Sequence, residues 1–428
     1  MFDRSTKFSN SPSLDIYYQE YMKNNQTLAL NVVGTYGDTE SSRAYGESRA
    51  GTLLTDVRNR ALGSRYSVIG EGIYEKRRGD NRLTFGARHT YASTDNRYDD
   101  GQNNSSNTLM RQNDTYAYGE WASKVKKLSY MVGAGVTHSH VAQQGAGEYD
   151  RVTFNPRLSL LYPLSGSSSL RLRSGIYNNN PSPANMSAVD QMIDSLRMQR
   201  GNPNLLSFIT GSSTLSYEYQ KDIYWVSLSG SYEVRPRAVM EEQREENGRF
   251  VTTWANQRSW QKANALLGLR VGPIKKILVI QANAGVNHFI SDGNSYRHVY
   301  TSPFLSTSLF GMYKNFTLFV DWQVEGDGFD GETMDGGQKN MHSAGLAYKW
   351  KNLNAMIVMT MPFVNNLYVE SENRSALASY KRRLHTNDVT RMLMFQLGYN
   401  LSWGRQYQAG QKRLNNKYEE EGVMETKK

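Results

Sequence analysis

His138 and His140 stand two residues apart, a spacing that puts both imidazoles on one face of an extended chain. Two such nitrogens and a third ligand hold zinc. Both fall where a strand runs into a loop, so they read as exposed interfacial histidines, and no His-Glu-x-x-His pattern accompanies them. Asp327, Asp330, Glu332 and Asp335, interleaved with Gly326, Gly328, Gly331, Gly336 and Gly337, offer oxygen ligands of the kind calcium takes. Their spacing departs from the EF-hand pattern, and a solvated loop is the expected reading. Cysteine is absent, which removes disulfides, thiolate metal sites and cysteine nucleophiles together. No Gly-x-Ser-x-Gly elbow is present. No catalytic, cofactor-binding or metal-binding residue is therefore assigned, and an enzyme is not expected.

Two other sets of residues carry physical meaning through alternation. Arg88, Arg157, Arg171 and Arg173 fall on the polar face of period-two segments, where basic residues lining a lumen set anion preference. The plainer reading is that they pair with acidic neighbours and fill space. Trp225, Trp322, Trp350 and Trp403 lie near strand ends and are expected in an interface girdle.

The elements that must position these residues are strands. The hydrophobic fraction of the 428 residues is 38%, and no run approaches the roughly 20 apolar residues of a spanning helix. A barrel strand crosses with about ten residues and gives every second one to lipid, so a polar composition is compatible with a membrane barrel. The 28 Tyr, 14 Phe and 7 Trp against 10 Pro favour strands and aromatic girdles. The net charge of +10 is scattered and forms no stripe, so nucleic acid is not an expected partner.

Read along the chain, paired segments alternate between short polar turns and long Gly/Asn/Asp/Ser-rich loops. Ser13 to Met22 turns into Gln26 to Gly37, and Ser64 to Arg77 into Arg82 to Ser93. Asp114 to Lys124 pairs with Leu128 to His140, Val152 to Tyr162 with Ser169 to Asn178, and Phe208 to Tyr219 with Ile223 to Arg235. Ser259 to Val271 with Ile277 to Phe289, Thr301 to Tyr313 with Phe316 to Glu325, and Met341 to Trp350 with Leu353 to Met361 follow. Arg391 to Trp403 comes last. About seventeen strands result, an all-β antiparallel transmembrane barrel over 1–405 with a polar periplasmic tail at 406–428. The short turns are expected to face the periplasm. The long segments, near 38–63, 94–111, 141–151, 179–207, 236–258, 291–300, 326–340 and 362–390, are expected to be extracellular loops. Within one of them, Ala184 to Met198 spaces Met192, Ile193 and Leu196 as a short helix does.

Arg200-Gly201-Asn202-Pro203-Asn204-Leu205, directly before the strand from Phe208, resembles the Gly-Asn-Pro-x-Leu segment before a mid-barrel strand of TonB-dependent receptors. Where that family continues into Pro-Glu, this chain has Leu206-Ser207. The ending Leu397-Gly398-Tyr399-Asn400-Leu401-Ser402-Trp403-Gly404-Arg405 is similar to the closing strand of these receptors and of the related outer membrane protein beta-barrel family, and Gln411 to Asn416 continues the likeness. The resemblance implies the C-terminal portion of a 22-stranded barrel in a Gram-negative outer membrane, taking up a ligand such as a metal chelate, cobamide or glycan. On that comparison about five strands, the plug, the TonB box and a signal peptide would lie outside this sequence. Implied partners are outer-membrane lipid, the barrel-assembly machinery, energy-coupling proteins acting through a plug, and an unknown extracellular ligand. A plugless structural or porin-like barrel is the alternative.

Overall fold

The computed structural model describes residues 2–50, 52–100, 105–145, 147–365, 367–386, 389–404, 412–414 and 416. Its frame is one antiparallel sheet of eighteen strand segments. The first two, Phe2–Asn10 and Ser13–Met22, run end to end along the same edge of Gln26–Arg49 and together make β1. They are split at Ser11-Pro12, where proline offers no N–H to a ladder. The sheet is thus seventeen strands wide. After β1 come β2 (Gln26–Arg49), β3 (Thr52–Arg78), β4 (Asn81–Asp99), β5 (Ser105–Val125), β6 (Leu128–Gln143), β7 (Glu148–Pro163) and β8 (Ser168–Asn179). They are followed by β9 (Phe208–Lys221), β10 (Tyr224–Pro236), β11 (Ser259–Ile274), β12 (Leu278–Asp292), β13 (Arg297–Tyr313), β14 (Phe316–Val324), β15 (Met341–Trp350), β16 (Leu353–Thr360) and β17 (Met392–Tyr399). Each strand pairs with the next in sequence. The meander runs unbroken to Met392–Tyr399 against Leu353–Thr360. Among the described residues the outer edges of β1 and β17 have no strand partner.

The period of two separates the faces. Leu28, Leu30 and Val32 on β2 lie in register with Tyr74, Gly72 and Gly70 on β3, while Ala29, Asn31 and Val33 lie in register with Ile73, Glu71 and Ile69. Leu30 and Val32 are exposed; Ala29, Asn31 and Val33 are buried. The same split puts Leu83 and Phe85, Val132 and Val136, and Phe316, Leu318 and Val320 on the outer, apolar face. An apolar surface that continuous is solvated by lipid and not by water.

The two ends of the sheet differ. At one end all eight connections are short, and most contain a residue at positive φ: Asn24, Asn25, Gly79, Lys126, Asp222, Lys275, Lys276, Lys314 and Lys351. Asn, Asp and Gly suit such a turn, whereas an ordinary L-residue held there costs roughly 1–2 kcal/mol. At the other end the strands run on past the apolar zone. β2 and β3 reach 24 and 27 residues, so the expected loop at 38–63 is for the most part strand. Beyond the membrane both faces are polar, and Gly, Ser and Arg there resemble a loop although the ladder continues from Asp38↔Ser64 to Arg49↔Thr52.

The expected loops at 94–111, 141–151 and 291–300 are likewise mostly strand, and the four remaining long connections fold into two small sheets. One joins Asp190–Met192, Arg197–Arg200, Arg249–Asn256 and Val239–Glu246; the other joins Gly328–Asp330, Thr333–Asp335, Leu367–Asn373 and Tyr380–Thr386. The helix expected over 184–198 is confined to Pro183–Met186, and Met192 and Met198 face each other in a hairpin. Asp194 causes the reversal, since its carboxylate accepts the N–H groups of Leu196 and Arg197 at 2.9 and 2.8 Å. The closing strand also ends earlier than its alternation suggests. Its last ladder contact is Asn400 N–H to Asn352 O, and with no neighbouring strand beyond, Leu401 and Trp403 run on unpaired.

Candidate functional site

The polar face of β4–β8 forms two clefts, one above the other along the strands. The first, of about 450 Å³, includes Arg88, Asp114, Tyr116, Asn155, Arg157 and Asn178 to Asn180 in its wall. Glycines on neighbouring strands let its aromatic rings lie against that wall: a Cβ at Gly86 would come within 2.4 Å of the Tyr118 ring, and one at Gly135 within 2.5 Å of the Tyr116 ring. The two rings stack with centroids 5.1 Å apart, and the Arg157 guanidinium sits 5.3 and 5.6 Å from them. Arg157 also pairs with Glu120 at 3.3 Å.

Opposite lies an amide network. Asn180 donates to both Asp114 oxygens at 2.9 and 3.0 Å, Gln112 donates to Asp114 at 2.7 Å, and Asn178 donates to Ser139 and to Asn180. Thr153 and Thr137 fix the oxygens of Asn178 and Asn155. These side chains are held before any ligand arrives. Arg88 faces the same space exposed, with no carboxylate partner among the described residues.

The second cleft, about 520 Å³ and nearer the short turns, holds Arg171 and Arg173 with Arg77, Arg82, Lys124, Ser159 and Leu161. Arg77 is neutralised by Glu75 at 2.6 Å. Arg82, Lys124, Arg171 and Arg173 have no such partner among the described residues. The four arginines singled out by alternation thus occupy one face but two places, Arg88 with Arg157 above and Arg171 with Arg173 below. Arg157 above is offset by Glu120 and Asp114, whereas the lower cleft sets Arg82, Lys124, Arg171 and Arg173 against Asp80 alone among the described residues and is the part that attracts anions.

The tryptophans divide. Trp322 and Trp350 are exposed on the apolar face, and Trp403 is exposed beyond β17. Trp225 is on the opposite face, in register with Arg270, and lines a polar cleft with Gln220 and Gln281. Its neighbour Tyr224 is the residue turned outward, 54% exposed. A one-residue step along a strand exchanges the faces, which proximity to a strand end does not register. Trp121, set edge-on against Tyr130 on the apolar face, was not singled out by the sequence.

His138 and His140 both reach the same oxygen of Asp150 at 3.1 Å on the outer face. The acidic loop is dispersed. Asp327 accepts from Lys339 at 2.7 Å, Tyr300 at 2.6 Å and the Gly337 N–H at 3.0 Å. Burial pushes its carboxyl up, but these donors together hold it below the usual carboxylate range. Asp330 is pushed up to about 6 by burial, which the nearby Arg235 only partly offsets. Burial raises Glu332 too, 3.7 Å from His298. No group of three metal-ligating side chains forms among the described residues.

The Gly201 to Leu205 motif is a lock. A Cβ at Gly201 would lie 2.3 Å from the Ser187 carbonyl oxygen and 2.7 Å from that of Asn185, so this approach requires glycine. Asn202 donates its backbone N–H to Asn185 O at 2.7 Å and its side-chain amide to Trp254 O at 2.9 Å. Pro203 spans to Asn204, whose N–H meets the Asn202 side chain, and Leu205 is buried with Met110, Val141, Met186 and Trp254. The motif therefore fastens two long connections to the sheet wall.

Of the ending likened to the family, Arg405, Gln411 and Asn415 lie outside the described residues. Lys412, Arg413 and Asn416 lie against the polar face of β1–β3: Lys412 pairs with Asp15, Arg413 with Glu75 at 2.6 Å, and Asn416 donates to Asn31 at 3.0 Å. The sequence carries no signal for these contacts, whereas Tyr-x-Tyr on a period-two strand is a visible signal for the Tyr116–Tyr118 pair.

The profile described as "Outer membrane protein beta-barrel family" matches residues 19–403. No curated protein sequence matches the chain. Among solved structures, the pyoverdine outer membrane receptor FpvA from Pseudomonas aeruginosa PAO1, bound to pyoverdine, superposes with TM-score 0.68 at 10% identity over 93% of this chain and 62% of its own. The copper transporter OprC gives 0.63 at 11% identity over 91% and 65%. The ferric citrate transporter FecA, unliganded, gives 0.61 at 13% over 92% and 62%. The chain spans less than two thirds of each of these proteins. In fold they bear out the likeness to the barrel of TonB-dependent receptors.

Proposed function

The chain belongs to the outer membrane protein beta-barrel family, and from that premise we propose that it forms the ligand-facing wall of an energy-coupled importer of the TonB-dependent receptor type. The observation that carries this reading is the asymmetric sheet itself. Short turns close one end, ordered loop sheets crown the other, and the polar face between them carries two arginine-lined clefts. The family and the matched structures bear the names of membrane proteins, transporters and receptors, which favours a role without catalysis.

In this reading the short turns face the periplasm and the loop sheets face outward to meet the ligand. Arg88, Arg157, Arg171 and Arg173 line the lumen and favour an anionic cargo. Unpaired strand edges are costly in lipid, at several kcal/mol for each unsatisfied backbone group. Strands beyond the seventeen, of which a 22-stranded wall would supply about five, complete the ring. A plug in the lumen links it to energy-coupling proteins, and the barrel-assembly machinery inserts it.

Deletion of the gene followed by growth on a panel of metal chelates, cobamides and glycans tests the proposal. One class of source is expected to fail, with its uptake in wild-type cells stopping when the proton-motive force is dissipated. Uptake that persists without energy, together with a steady conductance of the purified chain in planar bilayers, would replace it with the porin-like reading.

A further inference from the structure

Seven of the eight short turns carry lysine or arginine in or beside the turn, and only Asp80 and Asp222 oppose them. Lys126, Lys275, Lys276, Lys314 and Lys351 are exposed and occupy positions of positive φ. Asparagine or glycine would serve the backbone better there, so what lysine adds is its charge. None of the five has an ion-pair partner among the described residues. The contrast with the opposite end is sharp, where Lys339 pairs with Asp327, Lys381 and Arg383 share Glu370, and Arg374 meets Glu372.

The turns also sit at a fixed depth. Tyr313 and Trp350, 61% and 53% exposed on the apolar face, are the last lipid-facing residues before Lys314 and Lys351. The following ammonium folds back over each ring, 5.4 Å from the Tyr313 centroid and 5.3 Å from that of Trp350. Aromatic rings of this kind settle at the headgroup level. The ammoniums beside them are therefore placed at the height of the lipid phosphates.

We propose that the short-turn end is a binding rim for anionic phospholipid, its lysines taking the phosphate groups of the adjoining leaflet. Charge complementarity selects an anion, and continuity with the aromatic girdle selects one that belongs to the bilayer. A soluble polyanion would have no use for the rings.

The test is native mass spectrometry of the full chain released from phosphatidylcholine nanodiscs containing a minority of phosphatidylglycerol. The retained lipid should be enriched roughly fivefold in phosphatidylglycerol over the bilayer. Joint replacement of Lys126, Lys275, Lys276, Lys314 and Lys351 by Asn should return it to the bulk share, whereas Arg382→Gln with Arg383→Gln at the other end should not. Asparagine accepts positive φ, and heat-modifiable gel mobility checks that the variant folds. Should the joint variant fail that check, Lys314→Asn with Lys351→Asn is to lower the enrichment in its place. Enrichment that is absent, that survives the lysine replacements, that vanishes with the arginines, or that millimolar inorganic phosphate abolishes would overturn the proposal.

Discussion

The long-loop end and the short-turn end of this sheet treat charge and burial in opposite ways. Around the long connections, Arg200, Lys339, Arg374, Lys381 and Arg383 are matched by carboxylates within the fold, and apolar side chains make cores of their own, with Trp260, Phe289, Phe329, Met240 and Met334 in one and Leu205, Met186 and Trp254 in another. Among the described residues, no side chain of the short turns is buried and their lysines have no ion-pair partner, and the backbone holds several of them at positive φ. The first end is organised by packing against itself, which gives it a fixed shape. The second is organised toward whatever surrounds it. Each variant below acts on one end and spares the other.

The largest effect is expected from Trp260→Ala. Trp260 is buried, donates its indole N–H to Phe329 O at 2.8 Å, and carries the Arg235 guanidinium 4.2 Å above its ring. Its loss should cost the crown about 4 kcal/mol. Limited proteolysis within 326–340 is expected to rise by roughly a thousandfold in its opening equilibrium, while the heat-modifiable mobility of the sheet stays unchanged. Unfolding of the sheet along with the loops would show that the two ends are not independent.

Gly201→Ala follows at about 3 kcal/mol, because the added methyl meets backbone oxygens of Ser187 and Asn185 that have little room to yield. Cleavage is expected in 180–207 and not in 326–340, which separates the two cores. An equal response in both segments would mean that the crown opens as one unit.

How much of this was legible depends on whether a lipid boundary imposed a pattern. Where one face meets lipid, Leu83 and Phe85 or Leu170 and Leu172 must alternate with polar partners, and hairpins such as Ser13–Met22 with its neighbour can be located from sequence to within one residue at the short-turn end. Past the membrane that constraint disappears. The extension of β2 through Glu40 and Arg43 and the crown hairpin around Gly331 are fixed by contacts between residues far apart in the chain, and the turn that Asp194 closes locally is docked from far away, by Arg43 on Ile193 O. For Arg88 and Arg157 the face was legible, but the tyrosine pair and amide network around them depend on five strands coming into register. Trp225 shows the limit from another side, since being near a strand end says nothing about which way a side chain turns.

Asp330→Asn sharpens the comparison through pH. Burial raises this carboxyl to about 6 in the folded crown, against 3.8 when unfolded. The folded state therefore binds the proton more tightly. Stability from this group is fully present below about pH 3.8, declines as pH rises, and is gone above about 6. Asparagine has no proton to lose, so the variant should be slightly more protease-resistant at pH 7, by an amount that solvent around the exposed Asp330 side chain keeps small, and flat across the window. Asp327 has the opposite sign, its donors holding the carboxyl low, so that its contribution is lost only as pH falls below the ordinary carboxylate range. A wild-type crown that loosens on acidification between pH 6 and 4 would contradict the assignment to Asp330.

The smallest effect belongs to the short turns and runs against the usual direction of mutation. Replacing Lys314 or Lys351 by Asn relieves an L-residue at φ 52 or 50 and removes no packed contact beyond a cation over an exposed ring. The relief for lysine to asparagine is a fraction of the roughly 1–2 kcal/mol that separates left- from right-handed backbone, about 0.5 kcal/mol at each site. The lost cation–π contact, worth a similar amount at an exposed position, opposes it. Lys126→Asn has no ring to lose and should show the backbone gain alone, as a small rise in the thermal midpoint in neutral phosphatidylcholine. In bilayers containing phosphatidylglycerol the same substitution should gain less, because the wild-type lysine then has a partner. If the gain is equal in the two bilayers, the lysine at this turn meets no lipid phosphate, and the contrast between the two ends reduces to one of packing.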